Sequence, residues 1–519
     1  DIATNSGNAS LINSEEGTLY FEGSALVNGG SSRIISLFDS SSSRVSITFH
    51  STVNRVQFYV AINGYTNTVS IDTTTIDQTI LNKIAVRYGA NNYALFINGT
   101  KVGEDTSQSN TFSVNSLSEL TFSDVENFYG KNKALAVYKT ALTDASLRSL
   151  TYPPAVATTF DLDFDTIAEQ FTFTRGSEAT FVNAQGLIQS TASNNAPRLD
   201  YSTGAEAFLL EPQSTNLITY SEDFSNASWI KQSGITIITN TTDTLSPSGL
   251  NNASKVISTN NTIGFYSLPT SSMPTTSDVT RTIYLKGSVG GESVTLKDGG
   301  GFGGSVTHTL TTEWVRYEFK TTNDGNIYKG LYIDDISVGT IYAWGAQVEQ
   351  QSYATSYIPT SGATATRNQE LCNDATPVIN SEEGTLYAEI SALANDGTRR
   401  YISLNNGTNN YDVRIYFDLN GYISVLSKVA GTTQVFLQSN SYTQTDFNKI
   451  AFKYKENDFA LWINGVKVAT DTSGITSPAN TLNQLDFNGN NLDFFGNTKG
   501  LKYYPKALAD VQLEDLTTI

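Results

Sequence analysis

Cysteine is nearly absent from this chain: Cys372 is alone among 519 residues, so no intrachain disulfide framework holds the fold. Histidine is almost as scarce. His50 and His308 fall in different segments, which leaves no histidine-rich zinc site and no shared catalytic pair. Basic residues are also few, with 32 Lys and Arg against 50 Asp and Glu, a formal charge of −18. No lysine-arginine cluster offsets that balance, so nucleic-acid phosphates find no positive footprint and no nucleic-acid partner is expected. No apolar run reaches the roughly 20 residues that cross a bilayer, so no membrane insertion is expected. The opening DIATNSGNAS has neither the basic nor the apolar part of a secretion leader, and is read as the start of a processed or partial chain.

What the chain has instead is Ser, Thr and Asn in place of charge, with 27 Tyr, 26 Phe and 39 Gly. Those types suit strands and turns, and the composition reads as an extracellular-facing, all-β protein. One domain is also written twice. LNKIAVRYGANNYALFINGTKVGEDTS from Leu81 returns as FNKIAFKYKENDFALWINGVKVATDTS from Phe447, an offset of 366 positions (Asn82 to Asn448). SEEGTLYFEGSAL from Ser14 returns as SEEGTLYAEISAL at an offset of 367 (Ser14 to Ser381), so one residue separates the two registers. Alternating runs such as RIISLF, RVSITF and RVQFYVAI, broken by Gly, Asn and Ser, predict antiparallel sandwiches. Asn98-Gly99 and Asn464-Gly465 read as hairpin tips, and the aromatic residues of the strands entering them as core. A short helix is expected after Ala141-Leu142-Thr143-Asp144, and another from Ala509-Asp510 through Leu516.

Three domains follow: a sandwich over 1–155, an adaptor plus a second sandwich over 156–370, and a repeat of the first over 371–519. In the adaptor, Asp161, Asp163 and Asp165 alternate with Leu162 and Phe164, an outward polar face over an inward apolar one. The Gly299 to Gly304 stretch lacks the pattern of a phosphate loop and reads as a hairpin or binding loop.

The middle segment carries an ordered series: Phe173-Thr174-Arg175-Gly176-Ser177, Ala196-Pro197-Arg198-Leu199-Asp200-Tyr201, Leu209-Leu210-Glu211-Pro212-Gln213-Ser214-Thr215-Asn216-Leu217, Trp344-Gly345-Ala346-Gln347-Val348-Glu349 and Tyr357-Ile358-Pro359. With its flanks it resembles tailed-bacteriophage structural proteins in which laminin-G/concanavalin-A-like modules bracket a carbohydrate-binding-module-like domain. The resemblance implies jelly-roll sandwiches, a virion tail or tail-associated location, and a non-enzymatic adsorption role. Its partners would be a bacterial surface glycan or other tail and baseplate proteins. The alternative is a non-catalytic glycan-binding and scaffold fragment of a secreted polysaccharide-processing protein. A homo-oligomer built on aromatic faces is compatible with either.

A sugar site pairs an aromatic ring with side chains that orient hydroxyls, and Trp229, Trp314, Tyr328 and Tyr332 supply rings in the middle domain. Trp314 reads either as an exposed platform or as packing. Asp334-Asp335 is the candidate cation corner, suited to structural calcium, while no cofactor is required. Carboxylates such as Glu292 with Asp298, or Glu313 with Asp334, have no spacing that sets them across a scissile bond, so no catalytic residue is assigned.

Overall fold

A computed structural model describes every residue except 1–9, 40–42, 64–66, 123–125, 192, 269–277, 299–303, 322–329 and 490–491. Tyr328 and residues 299–303 of the glycine-rich stretch therefore lie outside the described residues. Among the described residues the strands are all paired antiparallel, and helices are confined to Asp144–Thr151, Ile167–Gln170 and Asp510–Thr517. The chain divides into two compact units, Asp1–Val156 with Ala509–Asp515, and Ala157–Leu508 with Leu516–Ile519.

The two copies fold into sandwiches of one topology. In the first, Gly130–Tyr138, Gly17–Ala25, Asn82–Tyr88, Tyr93–Ile97 and Thr100–Asp105 form one sheet in that order. The facing sheet runs Asn67–Thr73, Val56–Ile62, Arg44–Phe49, Arg33–Phe38, Glu119–Thr121. In the last, Gly496–Tyr504, Glu383–Ala392, Asn448–Lys455, Phe459–Ile463 and Val466–Asp471 face Thr432–Ser439, Ile423–Val429, Asp412–Phe417, Arg400–Asn405 and Gln484–Asp486. Alternate residues such as Ile35, Leu37, Val45 and Ile47, or Ile402, Leu404, Val413 and Ile415, close each core between the sheets.

The repeated motifs are hydrogen-bond devices. Asn98 and Gly99 hold φ of 50° and 81°, and Asn464 and Gly465 hold 50° and 79°, the left-handed pair that a two-residue hairpin needs. Asn98 Oδ1 accepts from Lys83 N at 3.0 Å and Asn464 Oδ1 from Lys449 N at 2.9 Å, pinning each tip to the neighbouring strand. Tyr88 donates to the carbonyl of Asn13 at 2.7 Å and Tyr454 to that of Asn380 at 2.6 Å. Phe96 and Trp462, the aromatics entering the tips, are buried.

In the middle, the sheet Trp229–Lys231, Phe265–Ser267, Leu331–Asp334, Ser293–Lys297, Ser305–Thr309 packs on Ile235–Ile238, Ser254–Ser258, Gly339–Glu349, Val279–Gly287, Val315–Thr321. A bulge interrupts the pairing of Val279–Gly287 with Gly339–Glu349, and Gly345 sits there at φ 62°, with the Tyr284 ring 3.1 Å from where a Cβ would stand. Asn216 clasps this strand to the return loop, donating to Ala346 O at 3.0 Å and Ile358 O at 2.8 Å.

The adaptor hydrogen-bonds to the last module. Ala207–Leu210 and Phe160–Asp161 both pair with Gly496–Tyr504, and Thr172–Thr174 pairs with Leu371–Asn373. Phe160, Phe171, Phe173 and Phe208 join the last module's core, with Phe171 and Phe208 at 5.3 and 5.7 Å from Phe487. Leu162 and Phe164 pack against that core while Asp161, Asp163 and Asp165 are exposed, as their alternation requires.

Where adaptor, return loop and last module meet, ionised groups are buried together. Arg198 donates to Glu370 Oε1 and to Glu211 Oε2, each at 2.8 Å; Arg175 reaches Glu370 Oε1 at 2.8 Å and Arg367 reaches Glu211 Oε2 at 2.6 Å. Ser356 adds its N–H and its hydroxyl to Glu211, each at 2.7 Å. Burial alone would raise the Glu211 carboxyl, but the charges of Arg367 and Arg198 and the Ser356 donors hold it at about 2. Removing one partner leaves an uncompensated buried charge, so Arg198→Ala should cost about 3–5 kcal/mol in thermal or denaturant unfolding. Because the folded pKa lies below the unfolded one, the contribution of Glu211 is complete above the ordinary carboxylate range and lost as pH falls toward about 2. Glu211→Gln should accordingly destabilise at neutral pH and flatten the acid limb of a stability-against-pH curve.

Candidate functional site

The middle-domain candidates fall in separate settings. Trp229 has no exposed surface; its ring packs edge-on to Phe224 at 4.8 Å and its Nε1–H donates to Tyr220 O at 2.8 Å. It is core, not a sugar platform, because strand alternation turns Ile230 outward in its place. Trp314 is half-buried against the cluster of Ile188, Trp344 and Tyr357, its Nε1–H spent on Leu245 O at 2.7 Å. Tyr332 stacks on Tyr266 at 4.2 Å and 5°, so one face of each ring is used by the other. Asp334 and Asp335 share the Lys297 ammonium, at 2.9 and 3.2 Å, and a cation there would have to displace it. Among the described residues no group of three or more His, Cys, Asp or Glu is placed to hold a metal ion.

Two of the cavities among the described residues bear on a site. One, of about 480 Å³, lies in the middle beside Trp344, Tyr357, Glu222 and Asn252. Its carboxylate is already engaged: Glu222 accepts from Tyr357 at 2.9 Å and from Asn252 at 2.8 Å, and burial raises its pKa. The other, of about 470 Å³, opens on the last module and is walled by Asn373, Asp374, Ser403, Asn405, Asp412, Gln484 and Asp486.

This second recess follows from strand alternation. Ile402, Leu404, Val413, Ile415 and Leu485 point to the core, which sends Ser403, Asn405, Asp412 and Asp486 to the opposite face of the same sheet. Asn405 ties the set together, donating to Asp486 Oδ2 at 2.7 Å and Ser403 Oγ at 3.1 Å, while Asp374 N donates to Asp486 Oδ1 at 2.6 Å. Burial raises the Asp486 pKa, and the nearby Asp374 charge adds to that. Asp412 is 1% exposed; its Oδ2 takes Arg414, whose guanidinium lies over the Tyr401 ring at 4.8 Å, and its buried Oδ1 has no partner among the described residues. Asn373 Oδ1 is likewise unpartnered. The walls carry the carboxylates of Asp374, Asp412 and Asp486 beside the amides of Asn373, Asn405 and Gln484, a polar set that complements a molecule bearing O–H or N–H donors.

None of these residues is conspicuous in the sequence alone, yet the repeat contains the signal. By strand register Ser403, Asn405, Asp412 and Asp486 stand where the first copy has Ser36, Phe38, Arg44 and Thr121. Both copies keep their inward residues apolar and keep serine at 36 and 403; the other three outward positions have changed character.

No protein-family model matches the chain, and no curated protein matches it. Solved structures that align include the CBM40 of Ruminococcus gnavus IT-sialidase bound to alpha2,3 sialyllactose, at 18% identity over 27% of this chain and 83% of that one, TM-score 0.24. A SAP-like pentraxin from Limulus polyphemus aligns at 12% identity over 27% and 72%, TM-score 0.24. Domains LG4-5 of the mouse laminin alpha1 chain align at 6% identity over 95% and 85%, TM-score 0.20. The assignment of antiparallel jelly-roll-type sandwiches rests on the strand order itself.

Asp486→Thr, the residue the first copy carries, removes a carboxylate whose charged form burial disfavours. A raised folded pKa means that this cost is present at neutral pH and disappears as pH falls below the ordinary carboxylate range. Melting temperature should hold or rise at neutral pH in the variant, with the difference closing in acid.

Proposed function

We propose that this chain is a non-enzymatic, extracellular-facing carbohydrate-binding protein, in which the recess over Ser403, Asn405, Asp412 and Asp486 receives a hydroxyl-rich saccharide and the tandem sandwiches serve as scaffold. The observation that carries this reading is the carboxylate-walled recess of the last module, whose Asn405, Asp412 and Asp486 stand where the first copy has Phe38, Arg44 and Thr121. Sugar hydroxyls are donors of the size and polarity such walls need. The carboxylates also set a sign: neutral glycans fit, and those bearing carboxylate or sulfate meet repulsion. No cofactor enters this reading; calcium is a condition to vary, not an assigned ligand.

The biological setting we favour is the binding and scaffold part of a secreted polysaccharide-processing protein, since the recess needs only a glycan. A tail-associated adsorption protein of a bacteriophage is the second reading, supported by the ordered series from Phe173 to Pro359. In either setting several weak sites on an assembled surface would gain affinity through multivalency.

A glycan array with the full chain, with and without calcium, tests the function. Selective binding to neutral glycans is expected, and Asn405→Phe with Asp486→Thr should weaken it about tenfold or more while the fold, followed by circular dichroism, persists. Absence of binding to any glycan, or binding unchanged in the variant, would refute the assignment to this recess. A stable complex with tail proteins in the absence of glycan binding would favour the second reading.

A further inference from the structure

The two copies differ not only on one face but along one edge. In the last module the strand Gly496–Tyr504 is covered: Ala207–Leu210 pairs with Gly496 to Thr498, and Phe160–Asp161 with Lys502 and Tyr503. In the first module the equivalent strand, Gly130–Tyr138, ends its sheet among the described residues. Gly130, Lys131, Asn132 and Lys133 are exposed there.

The side chains beneath that edge respond in register. Leu485, Phe487, Phe494, Leu501 and Tyr503 are each at most 1% exposed in the last module, where Phe171 and Phe208 of the adaptor lie against Phe487. Their counterparts in the first module, Leu120, Phe122, Phe128, Leu135 and Val137, are only half-buried. Leu393, beside Leu209 and Asn497, is half-buried as well, whereas the equivalent Leu26 is 62% exposed. A free strand edge above a partly open apolar row is a template for an added strand.

The occupant seen in the last module also has a charge. Asp161 of the adaptor pairs with Lys502 at 2.9 Å, and Glu206 precedes Ala207–Leu210, while Glu211 is spent on Arg198 and Arg367. The open edge of the first module carries Lys131, with Lys133 already paired to Glu22 at 2.8 Å, in a chain whose net charge is −18. Lysine on an edge opposes pairing with a second basic edge and favours an acidic strand.

We propose that the edge strand Gly130–Tyr138 of the first module, with Leu26, Phe122 and Phe128 beside it, is a docking site for an acidic, phenylalanine-bearing β-strand supplied by a partner polypeptide, in the manner in which the adaptor covers the last module. Backbone pairing would supply affinity, the half-open phenylalanines would take the partner's aromatic side chains, and Lys131 would set orientation.

The probes are labelled synthetic peptides of sequence TTFDLDFD (158–165) and AEAFLLEP (205–212), titrated with the full chain by fluorescence anisotropy. Saturable binding is expected, weakened about tenfold by Lys131→Glu with Leu26→Asp, two exposed positions whose change leaves the core intact. Raised salt should weaken it too, and Phe→Ser or backbone N-methylated peptides should not bind. Binding that the first-module variant leaves unchanged would overturn the proposal, because exchange at the last module's adaptor would then account for it. No peptide binding would also overturn it, and if joined by concentration-dependent dimerisation in sedimentation would assign the edge to a second copy of the chain.

Discussion

Burying three guanidinium groups beside two carboxylates is unfavourable unless almost every donor and acceptor finds a partner. The larger unit meets that condition with Arg175, Arg198 and Arg367 around Glu211 and Glu370, reinforced by Ser356 and by the Glu211 amide, which donates to Glu370 Oε2 at 2.9 Å. Such a cluster tolerates little displacement. It fixes the ends of the adaptor strands, the loop returning from the middle sandwich and the start of the last module relative to one another within this unit. The adaptor can then lie against Gly496–Tyr504, and the recess gains a wall from Asn373 and Asp374, which follow directly from Glu370.

This explains what the ordered series of the middle segment encodes. Arg175, Arg198 and Glu211 belong to the ionic cluster; Asn216 and Gln347 clasp the return loop, Gln347 accepting from Ile358 N at 2.6 Å; Gly345 makes the bulge; Glu349 takes the Thr355 amide at 3.1 Å. These are the positions at which a different residue would leave a buried charge or a buried peptide group unpaired. A resemblance carried by them speaks for a shared architecture more directly than for a shared ligand.

The fold was legible because its signals are local and redundant. Asn98-Gly99 and Asn464-Gly465 specify hairpins through backbone conformation, and alternation specifies which residues face inward. The helix beginning at Asp144 is capped by Thr143, whose hydroxyl accepts from Ser146 N at 3.2 Å. The site was not legible for the opposite reason. Aromatic type drew attention to Trp229, but type does not distinguish a ring in the core from one on a surface; alternation with Ile230 does, once the strand is known. Asn405, Asp412 and Asp486 are scattered by more than 80 positions and meet only through pairing with Arg400–Asn405 as the central strand.

Duplication supplies the missing contrast. Both copies must close a core and pin a hairpin, so the residues for those tasks stay alike, from Asn82 and Asn448 to Tyr88 and Tyr454. A position freed from those tasks can change without cost to the frame. Phe38 against Asn405, Arg44 against Asp412 and Thr121 against Asp486 are such positions, all on one outward face, and they exchange a cation and a ring for acceptors. The edge strands diverge in the same sense, Lys131 standing where Asn497 meets Leu209. Within one chain, then, the differences between two copies of a stable sandwich separate what the fold requires from what each copy can devote to binding.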